Sequence, residues 1–118
     1  MMKLFDSEMK VMEVLWREGD VTAKRISEIL KEEIGWNKNT TYTVIKKCAA
    51  KRAIERIDPN FLCHALVKKE EIQQEEAKDL IDRIFNGSAD QLFAALLSSG
   101  TISEEDKERL IHLIENTR

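Results

Sequence analysis

The chain has 118 residues, a formal net charge of −3 and charged side chains at 35% of its positions. Four glycines and one proline are too few for long loops or a many-stranded β fold, whereas 42% hydrophobic residues suffice for a core. No apolar run approaches the ~18 residues of a membrane-spanning helix, and the first residues lack the apolar stretch of a signal peptide. The two cysteines are not spaced like a metal site or a disulfide framework. We therefore expect a mainly helical, cytoplasmic protein with no metal, no cofactor and no membrane insertion.

The charge is unevenly distributed along the chain. Residues 1–67 carry 12 basic and 10 acidic side chains, whereas residues 68–118 carry 7 and 12. Within residues 37–56 there are six basic side chains and one acidic one. Because local charge decides whether a surface attracts phosphate, the N-terminal half is a candidate for binding nucleic acid despite the negative total.

Two amphipathic helices are predicted in the first 35 residues. The first begins near Asp6 or Ser7, both good N-caps, and ends at Gly19. The second follows the capping residue Thr22 and ends at Gly35. Their apolar positions recur every three to four residues, so each helix has one face to bury.

A third helix is predicted over residues 38–51, with Asn37 as its N-cap. Its tight connection to the second helix is typical of a helix-turn-helix. Its apolar face consists of Thr41, Val44, Ile45 and Cys48. The remaining surface has short hydrogen-bonding side chains and then lysines, without an acid, which is the chemistry that reads bases and holds phosphates. A merely solvated face is the alternative. The predicted DNA-binding residues here are Lys38, Asn39, Thr40, Tyr42, Thr43, Lys46, Lys47 and Lys51.

A β-hairpin is predicted directly after this helix. Residues 54–57 and 61–66 are compatible with strands, and Asp58-Pro59-Asn60 between them is a turn signal. A hairpin that follows a recognition helix is a wing, and its Arg56 and Asn60 are candidates to reach the DNA backbone or minor groove. A hairpin that only closes the core is the alternative.

The composition changes after Val67, and three further helices are predicted. The first covers residues 68–86 with Ile72 on its apolar stripe, the second surrounds Leu92, and Ser103 caps the last. About 50 residues bury too little surface alone, so a second copy is the simplest partner, and packing onto the chain's own N-terminal domain is the alternative.

The sequence thus predicts a mainly α (α+β) chain with a winged helix-turn-helix DNA-binding domain over residues 1–68 and a helical dimerisation domain over residues 69–118. The predicted dimerisation residues are Leu80, Ile81, Ile84, Phe85, Leu92, Phe93, Leu96, Leu97, Leu110, Ile111 and Ile114.

Several segments stand in a recognisable order. They are EMKVMEVLW at residues 8–16, VTAK at 21–24, GW at 35–36 with NTTYTVI at 39–45, and FNGS at 85–88 with the Leu/Phe-rich helix after it. Together they resemble the BlaI/MecI/CopY family of penicillinase and copper-responsive repressors over nearly the whole chain. The resemblance implies a homodimeric winged-helix repressor on double-stranded, dyad-symmetric operator DNA. It also implies that Trp16 and Trp36 are core residues of the DNA-binding domain.

The chain departs from that family pattern at several places. Asn37-Lys38 replaces Ser-Pro at the start of the recognition helix, Arg52-Ala53 stands where glycine is usual, and Tyr42 stands where some relatives carry arginine. The bond that is cut in the penicillinase repressors aligns with Ala95-Leu96, which lacks their Asn-Phe pair, and the C-terminal cysteines of the copper branch are absent from residues 112–118. Inactivation by a membrane sensor protease and a link to β-lactam resistance therefore follow from the resemblance alone.

An enzyme and a protein-binding module are the rival classes. Cys63 and His64 are adjacent on a predicted strand, so their side chains point to opposite faces, and Cys48 on an apolar helix face is most simply a core thiol. No phosphate loop, serine triad or metal-ligand cluster is present in the sequence, so we expect no catalytic residue. A winged helix that binds protein instead of DNA remains the alternative, and the basic, acid-poor third helix favours DNA.

Overall fold

A computed structural model describes residues 2–117 of the chain. Its elements in chain order are α1 (Asp6–Glu18), β1 (Val21–Thr22), α2 (Ala23–Ile34), α3 (Lys38–Ala50), β2 (Ile54–Ile57), β3 (Leu62–Ala65), α4 (Lys69–Ile84), α5 (Ala89–Ser98) and α6 (Glu104–Glu115). The prediction of a mainly helical chain with a hairpin after the third helix is confirmed. No helix within residues 2–117 is long and apolar enough to cross a membrane.

The chain divides into two compact units, one that ends at Glu75 and one that begins at Glu76. In the N-terminal unit the strands form an antiparallel sheet in the order β1-β3-β2. The register pairs Cys63 with Val21 on one side and with Arg56 on the other. Strand β1 was not predicted, because two residues are too few to show an alternating pattern.

The core of the N-terminal unit lies between α1, α2, α3 and the sheet. Met12, Ile26, Ile45 and Cys63, one from each of these elements, are fully buried. Burying a large aliphatic side chain stabilises a fold by about 1.5–3 kcal/mol, so this core holds the three helices in place. The four predicted apolar residues of α3 are all buried, as expected. The two tryptophans are partly buried and pack against this core instead of lying within it.

Helix capping explains where most of these helices begin. Thr22 accepts a hydrogen bond from the Arg25 N–H, Asn37 accepts one from Thr40, and Ser103 caps α6, all as predicted. The prediction for α1 was wrong by one residue. Its N-cap is Phe5, not Asp6 or Ser7. The Glu8 carboxylate at N3 accepts the Phe5 N–H at 2.8 Å, which is one half of a capping box, and the Phe5 side chain makes no cap hydrogen bond.

The first turns of α4 belong to the N-terminal unit. Ile72 is 3% exposed and lies in that unit's core. Just before it, Lys69 pairs with Glu13 of α1 at 3.0 Å, and the Trp16 indole N–H donates to the Val67 carbonyl at 2.9 Å. The sequence put the boundary after residue 68 and Ile72 on the tail's apolar stripe. The division lies seven residues later because Ile72 completes the N-terminal core.

The C-terminal unit comprises the rest of α4 with α5 and α6. None of its described residues is buried. Of the predicted dimerisation residues, five are half-buried, namely Ile81, Phe85, Leu92, Leu96 and Leu110. The other six are exposed, namely Leu80, Ile84, Phe93, Leu97, Ile111 and Ile114. A single copy of this unit therefore leaves much of its apolar surface in water.

Helix α3 ends in a Schellman motif. The Ala53 N–H donates to the Cys48 carbonyl at 2.9 Å, and the Arg52 N–H donates to the Ala49 carbonyl at 3.0 Å. Arg52 has a φ of 64°, the left-handed conformation that glycine adopts without strain. Arginine thus adopts the conformation of glycine at a position where the family that the sequence resembles usually has glycine. Cys48 and Ala53, which make the motif's first hydrogen bond, are both fully buried.

Because Arg52 is exposed and its backbone is left-handed, we expect Arg52→Gly to raise the free energy of unfolding by about 1 kcal/mol. Urea unfolding followed by tryptophan fluorescence measures this change, since Trp16 and Trp36 both lie in the N-terminal unit. Arg52→Ala is the matched control. It removes the side chain but keeps the strain, so its stability should stay within about 0.5 kcal/mol of the wild type. Equal effects of the two substitutions would contradict a backbone origin.

A buried ion pair connects the start of α1 to the end of α3. Glu8 is 1% exposed, and its carboxylate accepts from the Lys51 ammonium at 2.6 Å. The same ammonium donates to the Lys3 carbonyl and lies 4.2 Å from the centre of the Phe5 ring. Burial of the carboxylate raises the pKa of Glu8, but the hydrogen bonds from Lys51 and Phe5 and the attraction of Lys51 and Lys47 outweigh burial. The net result is a pKa below the ordinary glutamate value.

Since the pKa of Glu8 is lower in the folded than in the unfolded chain, the pair stabilises the fold above the ordinary glutamate pKa. That stabilisation is lost as the pH falls through the folded-state pKa. We expect Glu8→Gln to cost about 2 kcal/mol at neutral pH and to flatten the acid limb of stability against pH. Urea unfolding from pH 7 to pH 3.5 measures both effects, with the exposed Glu28→Gln as control. Parallel curves for wild type and Glu8→Gln would overturn this account.

Candidate nucleic-acid interface

Helix α3 has one buried face and one exposed, polar face. Opposite the buried positions, Asn39, Thr40, Thr43, Lys46 and Lys47 are exposed, and Lys38 is exposed at the first position of the helix. Tyr42, at the edge of this set, is half-buried. No acidic residue lies in the first turn of α3, where the free N–H groups and the helix dipole favour an anion. Six of the predicted DNA-binding residues are thus exposed on α3, and we call this set of six the α3 face.

The hairpin places the two other predicted residues in solvent. Arg56 on β2 and Asn60 in the turn are both exposed. The Arg56 Nε donates to Asp58 at 3.0 Å, and the guanidinium carbon lies 3.8 Å from the centre of the Phe61 ring. The exposed Arg56 side chain thus has a contact on two sides, with Asp58 and with Phe61.

Phe61 joins the hairpin to α3. Its ring meets the Tyr42 ring edge-on, with centroids 5.8 Å apart and planes at 86°. The Lys38 ammonium lies 5.4 Å from the centre of the Tyr42 ring. Four side chains thus form a row, Lys38, Tyr42, Phe61 and Arg56, with a cation at each end. Sequence reasoning treated Phe61 only as a strand residue. The adjacent turn signal marked its place, but the ring contacts depend on the fold.

Lys51 is the predicted residue that the structure removes from this surface. Its ammonium is bound to the buried Glu8 carboxylate and the Lys3 carbonyl, and its side chain is only 30% exposed. The spacing of Lys51 suggested an exposed cation, but the last turn of α3 directs it toward the start of α1. We assign it to holding α3 in place and not to contacting phosphate.

The nucleophile candidates have the environment of core residues. Burial raises the pKa of Cys48 to about 12 and that of Cys63 to about 11, so both remain protonated thiols. His64 points to solvent from the opposite face of β3, as predicted, and its Nδ1 lies 2.8 Å from Asp20. No group of three or more His, Cys, Asp or Glu side chains that could hold a metal ion occurs in the described part of the chain.

The chain is similar in sequence to known proteins over nearly its whole length. Residues 4–116 match the model of the penicillinase repressor family. The methicillin resistance regulatory protein MecI of Mammaliicoccus sciuri is 23% identical over 114 residues, which cover 95% of this chain and 93% of the relative. MecI of Staphylococcus aureus strain Mu50 is 22% identical with the same coverage. An uncharacterized 16.5 kDa protein in the ptsI 3' region of Latilactobacillus sakei is 26% identical over 92% of this chain and 75% of the relative.

The match to the family model covers nearly the whole chain, and the residues before and after the matched range are few. It includes both the N-terminal unit with its hairpin and the C-terminal helices. The chain therefore belongs to the penicillinase repressor family, whose members are DNA-binding winged-helix transcriptional repressors and not enzymes.

Proposed function

We propose that the protein represses transcription by binding, as a homodimer, to a dyad-symmetric operator that it reads with the α3 face. The observation that carries this proposal is the α3 face itself, which exposes three lysines and three short polar side chains without an acid in the first turn. A solvated helix normally mixes acids into its exposed surface, whereas a phosphate-facing helix excludes them. A repressor acts where the chromosome is, so we place its activity in the cytoplasm.

The side chains of the α3 face, together with Tyr42 at its edge, suit two kinds of contact. Thr40, Tyr42 and Thr43 lie toward the N-terminal half of α3, the part of a recognition helix that meets base edges in the major groove. Lys46 and Lys47 follow one turn later, and their exposed ammonium groups suit phosphate oxygens. We assign sequence reading to the first group and salt-dependent affinity to the second.

The exposed apolar surface of the C-terminal unit supports dimerisation. Helices α5 and α6 line an apolar groove of about 250 Å³, formed by Phe93, Leu97, Ile102, Leu110, Ile111 and Ile114 with Lys107 at its edge. A second copy of the same unit provides an equally apolar surface, as a two-fold interface requires. A dimer carries two α3 faces and so selects two half-sites about one helical turn, or a multiple of it, apart.

Release from DNA would follow from any event that weakens the dimer, because one half-site alone binds weakly. The relatives named methicillin resistance regulatory protein favour a β-lactam as the inducing signal. A membrane sensor protease that cuts the C-terminal unit is part of the proposal on the family resemblance alone. The aligned bond, Ala95-Leu96, lies inside α5, with Ala95 exposed and Leu96 half-buried. Since a protease binds extended backbone, cutting there requires α5 to unfold locally.

Two substitutions on the α3 face should separate reading from attraction. We expect Thr43→Ala to lower the preference for the promoter upstream of the protein's own gene over a scrambled duplex by about tenfold. Lys47→Ala should weaken both duplexes alike and reduce the salt slope by about one. Fluorescence anisotropy at several KCl concentrations measures both effects, and Lys10→Ala on α1, also exposed, is the control.

Either of two results would contradict the assignment of the α3 face. Unchanged binding in both variants would exclude α3 as the reading helix. A wild-type protein that does not prefer its promoter at any salt concentration would favour the alternative function, a winged helix that binds a protein partner.

A substitution that introduces one charge into the apolar groove tests the proposed dimer interface. Ile111 is 56% exposed, so Ile111→Asp should leave the single chain folded but bury an unpaired charge in a dimer. We expect the dimer dissociation constant to rise about 100-fold, and operator binding to fall with it. Light scattering measures the mass, and Leu66→Asp, the same kind of change at an exposed position of the N-terminal unit, is the control. A dimeric Ile111→Asp protein would count against this interface.

A further inference from the structure

The row of four side chains that joins α3 to the hairpin points to a role for Phe61 that the family assignment does not include. We propose that Phe61 is a positioning residue: its ring holds the Arg56 guanidinium in the orientation in which Arg56 contacts a DNA phosphate, while Phe61 itself does not touch DNA. This inference rests on the proposed DNA-binding function and concerns which residues make the wing effective.

Arg56 is restrained on two sides. The Phe61 ring lies against the guanidinium, 3.8 Å from ring centre to guanidinium carbon, and the Asp58 carboxylate accepts from Nε. Among residues 2–117, Asp58 is the one hydrogen-bond partner of the guanidinium, so the two terminal NH₂ groups remain available for a phosphate. An arginine restrained in advance loses less side-chain freedom when it binds than one that moves freely.

Phe61 is itself held by the two helices of the helix-turn-helix. Its carbonyl oxygen accepts the N–H of Ala23, the first residue of α2, at 2.9 Å. Its ring packs edge-on against Tyr42 of α3. Phe61 therefore connects Arg56 to both helices, to α3 through its ring and to α2 through its backbone carbonyl. Without that ring, only the Asp58 hydrogen bond, which lies within the same hairpin, would orient the guanidinium.

The backbone of Phe61 gives a second, independent indication. Its φ is 51°, in the left-handed region where glycine or asparagine is usual and a bulky side chain is strained. Such a conformation persists only where the surrounding contacts hold it, and Phe61, unlike the exposed Arg52, has a ring with contacts on two sides. Glycine would relieve the strain but would leave both Arg56 and Tyr42 without the ring. The contacts of the ring thus explain why an aromatic residue stands in this conformation.

A mutant cycle on the full-length dimer tests the proposal, with the promoter duplex and its scrambled version as probes. We expect Phe61→Leu to weaken binding about threefold with an unchanged salt slope, because no charge is removed. Arg56→Ala should weaken binding about tenfold and lower the slope by about one. In the Arg56→Ala background, Phe61→Leu should lose most of its effect, and Phe61→Tyr, which keeps the ring, should bind like the wild type.

Nuclear magnetic resonance of the free protein tests the stacking without DNA. The Arg56 side-chain protons should have upfield ring-current shifts in the wild type and in Phe61→Tyr, and normal shifts in Phe61→Leu. If Phe61→Leu does not fold, Phe61→Met fills similar space without a ring and takes its place in both measurements.

The outcomes distinguish a failure of the positioning role of Phe61 from a failure of the proposed DNA-binding function. Normal Arg56 shifts in the wild type, or an equal loss from Phe61→Leu with and without Arg56, would overturn the positioning role while the wild type still binds its promoter. An equal loss would instead mean that the ring contacts DNA or only supports the fold. A wild-type protein without preference for its promoter would overturn the proposed function, and with it the role of Arg56 in binding, even if the ring-current shifts are present.

Discussion

The burial of one face of α3 is the constraint on which the rest of this structure depends. Thr41, Val44, Ile45 and Cys48 recur every three to four residues and all lie in the core. Because a helix has 3.6 residues per turn, burying these positions directs the residues between them toward solvent. The chemistry of the α3 face is therefore a consequence of packing. The helix that fills the core with one face therefore presents Asn39, two threonines, Lys46 and Lys47 on the opposite face.

Contacts at both ends of α3 keep this face in place. At its end, Lys51 bonds to the buried Glu8 of α1, and the Schellman motif turns the chain back toward the core. At its start, Tyr42 meets Phe61 and so links α3 to the hairpin. In these contacts the Lys51 ammonium and the Phe61 ring bind other parts of the N-terminal unit. A recognition helix benefits from such restraint because a base contact requires a defined position of the side chain.

The two units differ in how much of their apolar surface a single chain buries. The N-terminal unit has a continuous core and completes it with Ile72 from the first turns of α4. The C-terminal unit has no buried residue among those described, although leucine, isoleucine and phenylalanine are frequent in it. A surface of this kind gains stability by excluding water against another surface. In the proposed dimer, the stability of the C-terminal unit and the affinity for two half-sites depend on the same contact, which gives an inducer one place to act on both.

The sequence by itself determined the helices, their caps at Thr22, Asn37 and Ser103, and the buried face of α3, because periodicity and capping are local properties of the chain. It also indicated the exposed polar face that follows from that burial. Only the tertiary structure decided that Lys51 pairs with Glu8 and that Phe61 packs between Tyr42 and Arg56. These partners are 43, 19 and 5 residues apart in the chain. No local sequence pattern predicts which cation faces solvent and which pairs with a buried carboxylate, because that depends on how distant segments of the chain pack together.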